Sequence, residues 1–153
     1  KDEINRRRAK YWQPYHDKLS AILSNIKSEH GYVILFENHS IKSVVPRFFE
    51  GKLPDFNLGT SGGKSCTLGL REALARALSN NDRYSLAVDG RFKGGYITRN
   101  YGNPSNDVYS FQLELSIATY MEEEPEFVWQ EELAEQVRPS LRAMMDAALN
   151  TKF

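Results

Sequence analysis

Apolar residues recur at helical spacing near the start of the chain, where Trp12, Tyr15, Leu19, Ile22, Leu23 and Ile26 share one face. This predicts a long amphipathic helix, with Gly31 as its C-terminal stop. Tyr32 to Phe36 is a short apolar run that reads as a buried parallel strand. A second helix is predicted over Thr67 to Ser79 from Leu70, Leu74 and Leu78, ended by Asn80-Asn81-Asp82. Tyr84 to Val88 reads as the next strand. From Val108 to Leu115 the pattern alternates: Tyr109, Phe111, Leu113 and Leu115 share one face, and Ser110, Gln112 and Glu114 the other. A last helix carries Trp129, Leu133, Val137, Leu141, Met144 and Ala148, with Pro139 expected to kink it.

Helices alternating with strands predict an α/β fold. The strands read here make a thin sheet, so further strands are expected N-terminal to Lys1. The span from Glu37 to Ser65 reads as irregular, with no buried strand in Leu53 to Asn57. A connection of that size is usually functional.

At 153 residues and 41% hydrophobic content the chain is expected to form a single domain around one core. It shows no membrane-length apolar run and no signal peptide, which predicts a soluble, cytoplasmic protein. Twenty basic residues balance twenty acidic ones, which argues against binding nucleic acid through net charge. The Arg6-Arg7-Arg8 run reads as a solvated helix face. Cys66 is the one cysteine, so an internal disulfide and a cysteine-cluster metal site are excluded.

The densest chemistry lies in R-F-K-G-G-Y-I-T-R-N-Y-G, from Arg91 to Gly102, a connection leading toward the strand through Glu114. Its glycines permit close approach to a ligand, and Arg91, Lys93 and Arg99 suit a small dianion; a solvated basic loop is the alternative. His39 is placed just beyond a strand's carboxyl end, where it reads as a metal ligand, a general base or a structural hydrogen bonder. Glu114, near those cations, reads as a proton acceptor for a water nucleophile or as part of an exposed sheet face. His16 reads as packing or support, and His30 as a surface residue favoured by the helix dipole. Glu122-Glu123-Glu124 reads as a solvated turn. Gly59-Thr60-Ser61-Gly62-Gly63-Lys64-Ser65 imitates a phosphate-binding loop but is one residue short between glycine and the Gly-Lys pair, so it reads as a flexible surface loop.

Several segments together resemble the N-formylglutamate amidohydrolases: Y-W-Q-P-Y-H (Tyr11 to His16), N-H-S-I (Asn38 to Ile41), G-K-L-P-D-F-N-L-G-T (Gly51 to Thr60), G-R-F-K-G-G-Y-I-T-R (Gly90 to Arg99), Y-G-N-P (Tyr101 to Pro104), Q-L-E-L-S (Gln112 to Ser116) and T-Y-M-E-E (Thr119 to Glu123). The resemblance runs in order from about Tyr11 to Glu132. It implies hydrolysis of N-formylglutamate to formate and glutamate in histidine degradation, and a mixed sheet between helices similar to that of zinc-dependent exopeptidases. By the same resemblance His39 would ligate zinc, with its other ligands N-terminal to this chain, and Glu114 would activate the water. Arg91 and Arg99 would hold the substrate carboxylates, with Lys93, Asn38, Ser40 and Asn100 as further substrate-binding positions. The chain departs from the family pattern at Glu37, where an aspartate is usual, and at Asn100, where a histidine is usual. It looks like the C-terminal part of such an enzyme, and a non-catalytic anion-binding domain that has lost its metal is the competing reading.

Overall fold

The amphipathic N-terminal segment is a helical run in three parts: Asp2–Arg7 (α1), a π-helical turn at Arg8–Trp12, and Gln13–His30 (α2). Pro14 follows the widened turn, which accommodates a residue with no N–H to donate and a ring that crowds the preceding turn. Gly31 ends α2 as predicted, in the left-handed region at φ 83°, and its N–H donates to the Lys27 carbonyl at 2.8 Å. A computed structural model describes residues 1–153, so the strands expected before Lys1 lie outside it.

Four strands form one mixed sheet: Val33–Ile41 (β1), Phe56–Gly59 (β2), Leu86–Val88 (β3) and Val108–Ser116 (β4), in the order β1-β4-β2-β3. β1 runs parallel to β4, β2 antiparallel to β4, and β3 parallel to β2. Two expectations are corrected. β1 does not stop at Phe36 but continues to Ile41, because a strand at the sheet edge tolerates the polar run that hid its second half. The supposedly irregular span contains β2, whose residues are all buried. Asn57 is accommodated there by donating to the carbonyls of Pro54 and Glu114, at 2.8 and 3.2 Å.

Helices cover both faces. Leu68–Ser79 (α3) is capped by Thr67, whose hydroxyl accepts from the Leu70 N–H at 3.2 Å, a contact worth about 1 kcal/mol. Leu70, Leu74 and Leu78 are wholly buried against Phe56, Leu58, Phe111 and Leu113 of the sheet and Val137 and Met144 of the last helix. Each such leucine contributes roughly 1.5–3 kcal/mol. That last helix, Glu131–Leu149, continues through Pro139 as one element (α5, after the short helix α4, Tyr96–Tyr101). Trp129 is not part of it. Instead it pairs with Met121 in a small hairpin of Met121–Glu122 (β5) and Val128–Trp129 (β6). The opposite face carries α2 and α4 and leaves an open cleft beside them. No helix is long and apolar enough to cross a membrane.

Candidate active site

Strand register assembles the site. His39, Glu114 and Asn57 are neighbours across β1, β4 and β2, and Glu37, Gln112 and Gly59 form the next row. Since side chains alternate across a strand, Glu37 and His39 share a face, as do Gln112 and Glu114. These four line a cleft of about 650 Å³ together with Arg91, Lys93, Gly95 and Arg99.

The cation-bearing loop reaches this face through glycine. A Cβ on Gly59 would stand 2.5 Å from the Gly94 nitrogen and 2.6 Å from the Lys93 carbonyl carbon, so no larger residue lets the loop cross β2. Gly94 has φ 110°, closed to most side chains. The segment after it is not a plain connection into β4: it winds into α4 before the chain turns back. Two sheet side chains hold the start of α4. The Gly95 N–H donates to Gln112 Oε1 at 2.7 Å, and the Thr98 N–H and hydroxyl donate to Glu37 Oε2 at 3.2 and 2.7 Å.

Arg91 Nε donates to the Phe48 carbonyl, and Arg99 donates to the Gly94 carbonyl, each at 2.6 Å. Both guanidinium groups are thereby oriented by backbone, and neither they nor Lys93 forms an ion pair with any carboxylate. Glu114 lies below them, 8% exposed. Burial pushes its carboxyl above the ordinary glutamate range; His39 draws it back in part, and Glu37 adds to the rise. His39 Nε2 is 2.9 Å from Glu37 Oε1. As for zinc, His39 offers one imidazole, and no three His, Cys, Asp or Glu side chains of this chain converge on a metal-sized point. A closed site normally takes three protein ligands, so these residues supply at most part of the shell.

The structure therefore gathers Arg91, Lys93, Arg99, His39 and Glu114 into one cleft. Asn38 and Ser40 are not among the cleft's lining residues: they alternate onto the other face of β1, and Ser40 Oγ accepts from the Tyr120 hydroxyl at 2.8 Å. Asn100 lies on a separate groove between α2 and α4. Gln112, which the sequence places only on the same strand face as Glu114, and Glu37, the carboxylate beside His39, also line the cleft, and both hold the start of α4. His16 is a packing residue: it is buried between α2 and α4, its Nδ1 2.6 Å from the Tyr101 hydroxyl. Glu123 is no free turn residue, since it accepts from both the N–H and the hydroxyl of Ser43 at 2.6 Å.

The phosphate-loop imitation is not a flexible surface loop either. Thr60 and Ser65 are buried, and Asp89 fills the place of an anion. It accepts from Thr60 N–H at 2.7 Å, Thr60 hydroxyl at 2.6 Å, Gly62 N–H at 3.0 Å and Arg71 Nε at 3.1 Å. Burial pushes the Asp89 carboxyl upward, but these bonds and the Arg71 charge outweigh it and hold the group below its usual range.

The chain is similar to known proteins over nearly its whole length. The chain is 43% identical over 97% of its length to the N-formylglutamate deformylase of Pseudomonas aeruginosa, and equally so to that of Pseudomonas putida. It spans 56% and 55% of those two proteins, about half of each. The crystal structure of N-formylglutamate amidohydrolase from Ralstonia eutropha JMP134 superposes with a TM-score of 0.76 at 26% identity, over 97% of this chain and 54% of that one. The model of the N-formylglutamate amidohydrolase family matches residues 1–121, which include both rows of the cleft and the whole cation loop, and the chain belongs to that family.

Proposed function

We propose that the protein carrying this chain hydrolyses N-formyl-L-glutamate, or a closely related N-acyl amino diacid, to formate and the free amino acid. The observation that carries this reading is the set of unpaired cations, Arg91, Lys93 and Arg99, on the same cleft as a carboxylate whose proton affinity is raised. Arg91 and Arg99 take one substrate carboxylate each through the guanidinium fork, and Lys93 adds positive potential. That grip sets the formyl carbonyl over Glu114, which accepts a proton from water as its oxygen attacks the formyl carbon. The same proton then passes to the departing amine nitrogen as the carbon–nitrogen bond breaks. Zinc enters the proposal through His39 as one ligand, the others lying outside this chain; when bound it polarises the carbonyl and acidifies water. Histidine degradation as the setting and the cytoplasm as the compartment are part of the same reading.

Formate release from N-formylglutamate by the full-length protein, assayed with zinc present, tests it. Glu114→Gln is expected to lower kcat about 10²–10⁴-fold while the protein keeps its metal. No turnover of N-formylglutamate or N-formylaspartate by the wild type overturns the assignment.

A further inference from the structure

On the cleft face β1 and β4 each carry one residue that holds the cation loop or the helix after it and, two positions on, one assigned to the chemistry. On β4 these are Gln112 and Glu114, and on β1 they are Glu37 and His39. Gln112 is 4% exposed and uses both ends of its amide: Oε1 accepts from the Gly95 N–H at 2.7 Å, and Nε2 donates to Glu114 Oε2 at 3.5 Å. A backbone N–H cannot accept a hydrogen bond, so Gly95 compels the amide oxygen to face the loop and the amide nitrogen to face Glu114. Glu37 repeats the arrangement, with Oε2 on Thr98 and Oε1 on His39.

We propose that Gln112 is a positioning residue that joins the substrate-gripping loop to Glu114, with Glu37 backing the same loop from β1. When the loop is seated, the Gln112 NH₂ group is held against the carboxylate and orients it toward the cleft. When Gly95 moves away, that amide is released and Glu114 loses its donor. Substrate grip and the readiness of the base are thereby linked through one side chain. This rests on the hydrolase reading above for its catalytic meaning, though not for the linkage itself.

Two substitutions separate the ends of the amide in the full-length protein. Gln112→Glu keeps an oxygen for Gly95 and replaces the donor to Glu114 by a second carboxylate; Gln112→Met keeps the bulk and removes both. For Gln112→Glu, KM and the hydrogen exchange of the Gly95 amide are expected within about twofold of wild type, while kcat falls about 10–100-fold, the usual weight of an outer-shell partner. For Gln112→Met, exchange at Gly95 accelerates and KM rises as well. Wild-type kcat in Gln112→Glu, or unchanged Gly95 exchange in Gln112→Met, overturns the proposal. Should the wild type release no formate, the hydrolase reading fails alone, and NMR decides the linkage: Glu114→Gln is expected to shift the Gln112 side-chain amide resonances, and unshifted resonances overturn it.

Discussion

The loop from Thr60 to Ser65 and the loop from Arg91 to Gly95 both carry paired glycines and a lysine, yet they differ in where their negative charge comes from. The first folds around Asp89, so its N–H groups and hydroxyl are satisfied from within, and Arg71 completes the set. The second has Arg91, and Arg99 on the helix that follows, aligned by backbone carbonyls, and neither forms an ion pair with a carboxylate. A buried anion tied by several donors is a stability device, whereas oriented cations without a partner are prepared for a charge arriving from solution. Composition alone does not distinguish them.

The comparison is broken most directly at the arginines. Arg91→Ala or Arg99→Ala is expected to raise KM for N-formylglutamate about 10–100-fold, matching the loss of one charge-assisted hydrogen bond of roughly 1.5–3 kcal/mol. An uncharged formamide substrate serves as the control. Equal losses on both substrates assign the arginines to the fold instead.

Asp89→Ala is expected to do the reverse, costing about 1.5–3 kcal/mol of stability with the preference for charged over uncharged substrate unchanged. Because the folded carboxyl titrates below its usual range, its contribution is present above the unfolded pKa and is lost as pH falls through the folded one. Urea unfolding should therefore show the full gap between wild type and variant near neutrality and a narrowing gap in acid. A gap independent of pH contradicts the internal-anion account.

Glu114 should show the opposite sign. Its folded pKa is raised, so ionisation costs stability, and the cost appears as pH rises from the unfolded value through the folded one. Glu114→Gln is expected to melt higher than wild type at neutral pH, with the difference vanishing below the ordinary glutamate range. A lower melting temperature at neutral pH indicates that the ionised carboxylate is compensated after all. The smallest effect belongs to Lys64, exposed on the satisfied loop: Lys64→Ala should leave both melting temperature and KM unchanged, and a rise in KM places a second anion site there.

Legibility in the sequence followed burial. α3, α5 and β4 were readable because their buried faces repeat at helical or strand period, as Leu70, Leu74 and Leu78 do. β1 is legible only as far as Phe36, because its last residues turn polar groups both to the cleft and to the outer edge, which erases the alternation. β2 escaped because four residues with an asparagine and a glycine carry too little pattern, although Gly59 and Asn57 are where they are for reasons of packing and pairing. The N-H-S-I motif sets Asn38 and Ser40 beside His39 in the chain, but a strand's alternation sends neighbours to opposite faces.

Local spacing and residue chemistry thus settle the α/β class, the main helices and the cation loop, and the ordered motifs carry the family resemblance, because each depends on short stretches of chain. Which face Glu37, His39, Gln112 and Glu114 share, which loop keeps an internal anion, and which amide end meets Glu114 depend on strand register and on contacts between distant segments. Those are outcomes of packing the whole chain, since a shift of register by one residue would turn every one of these side chains to the other face.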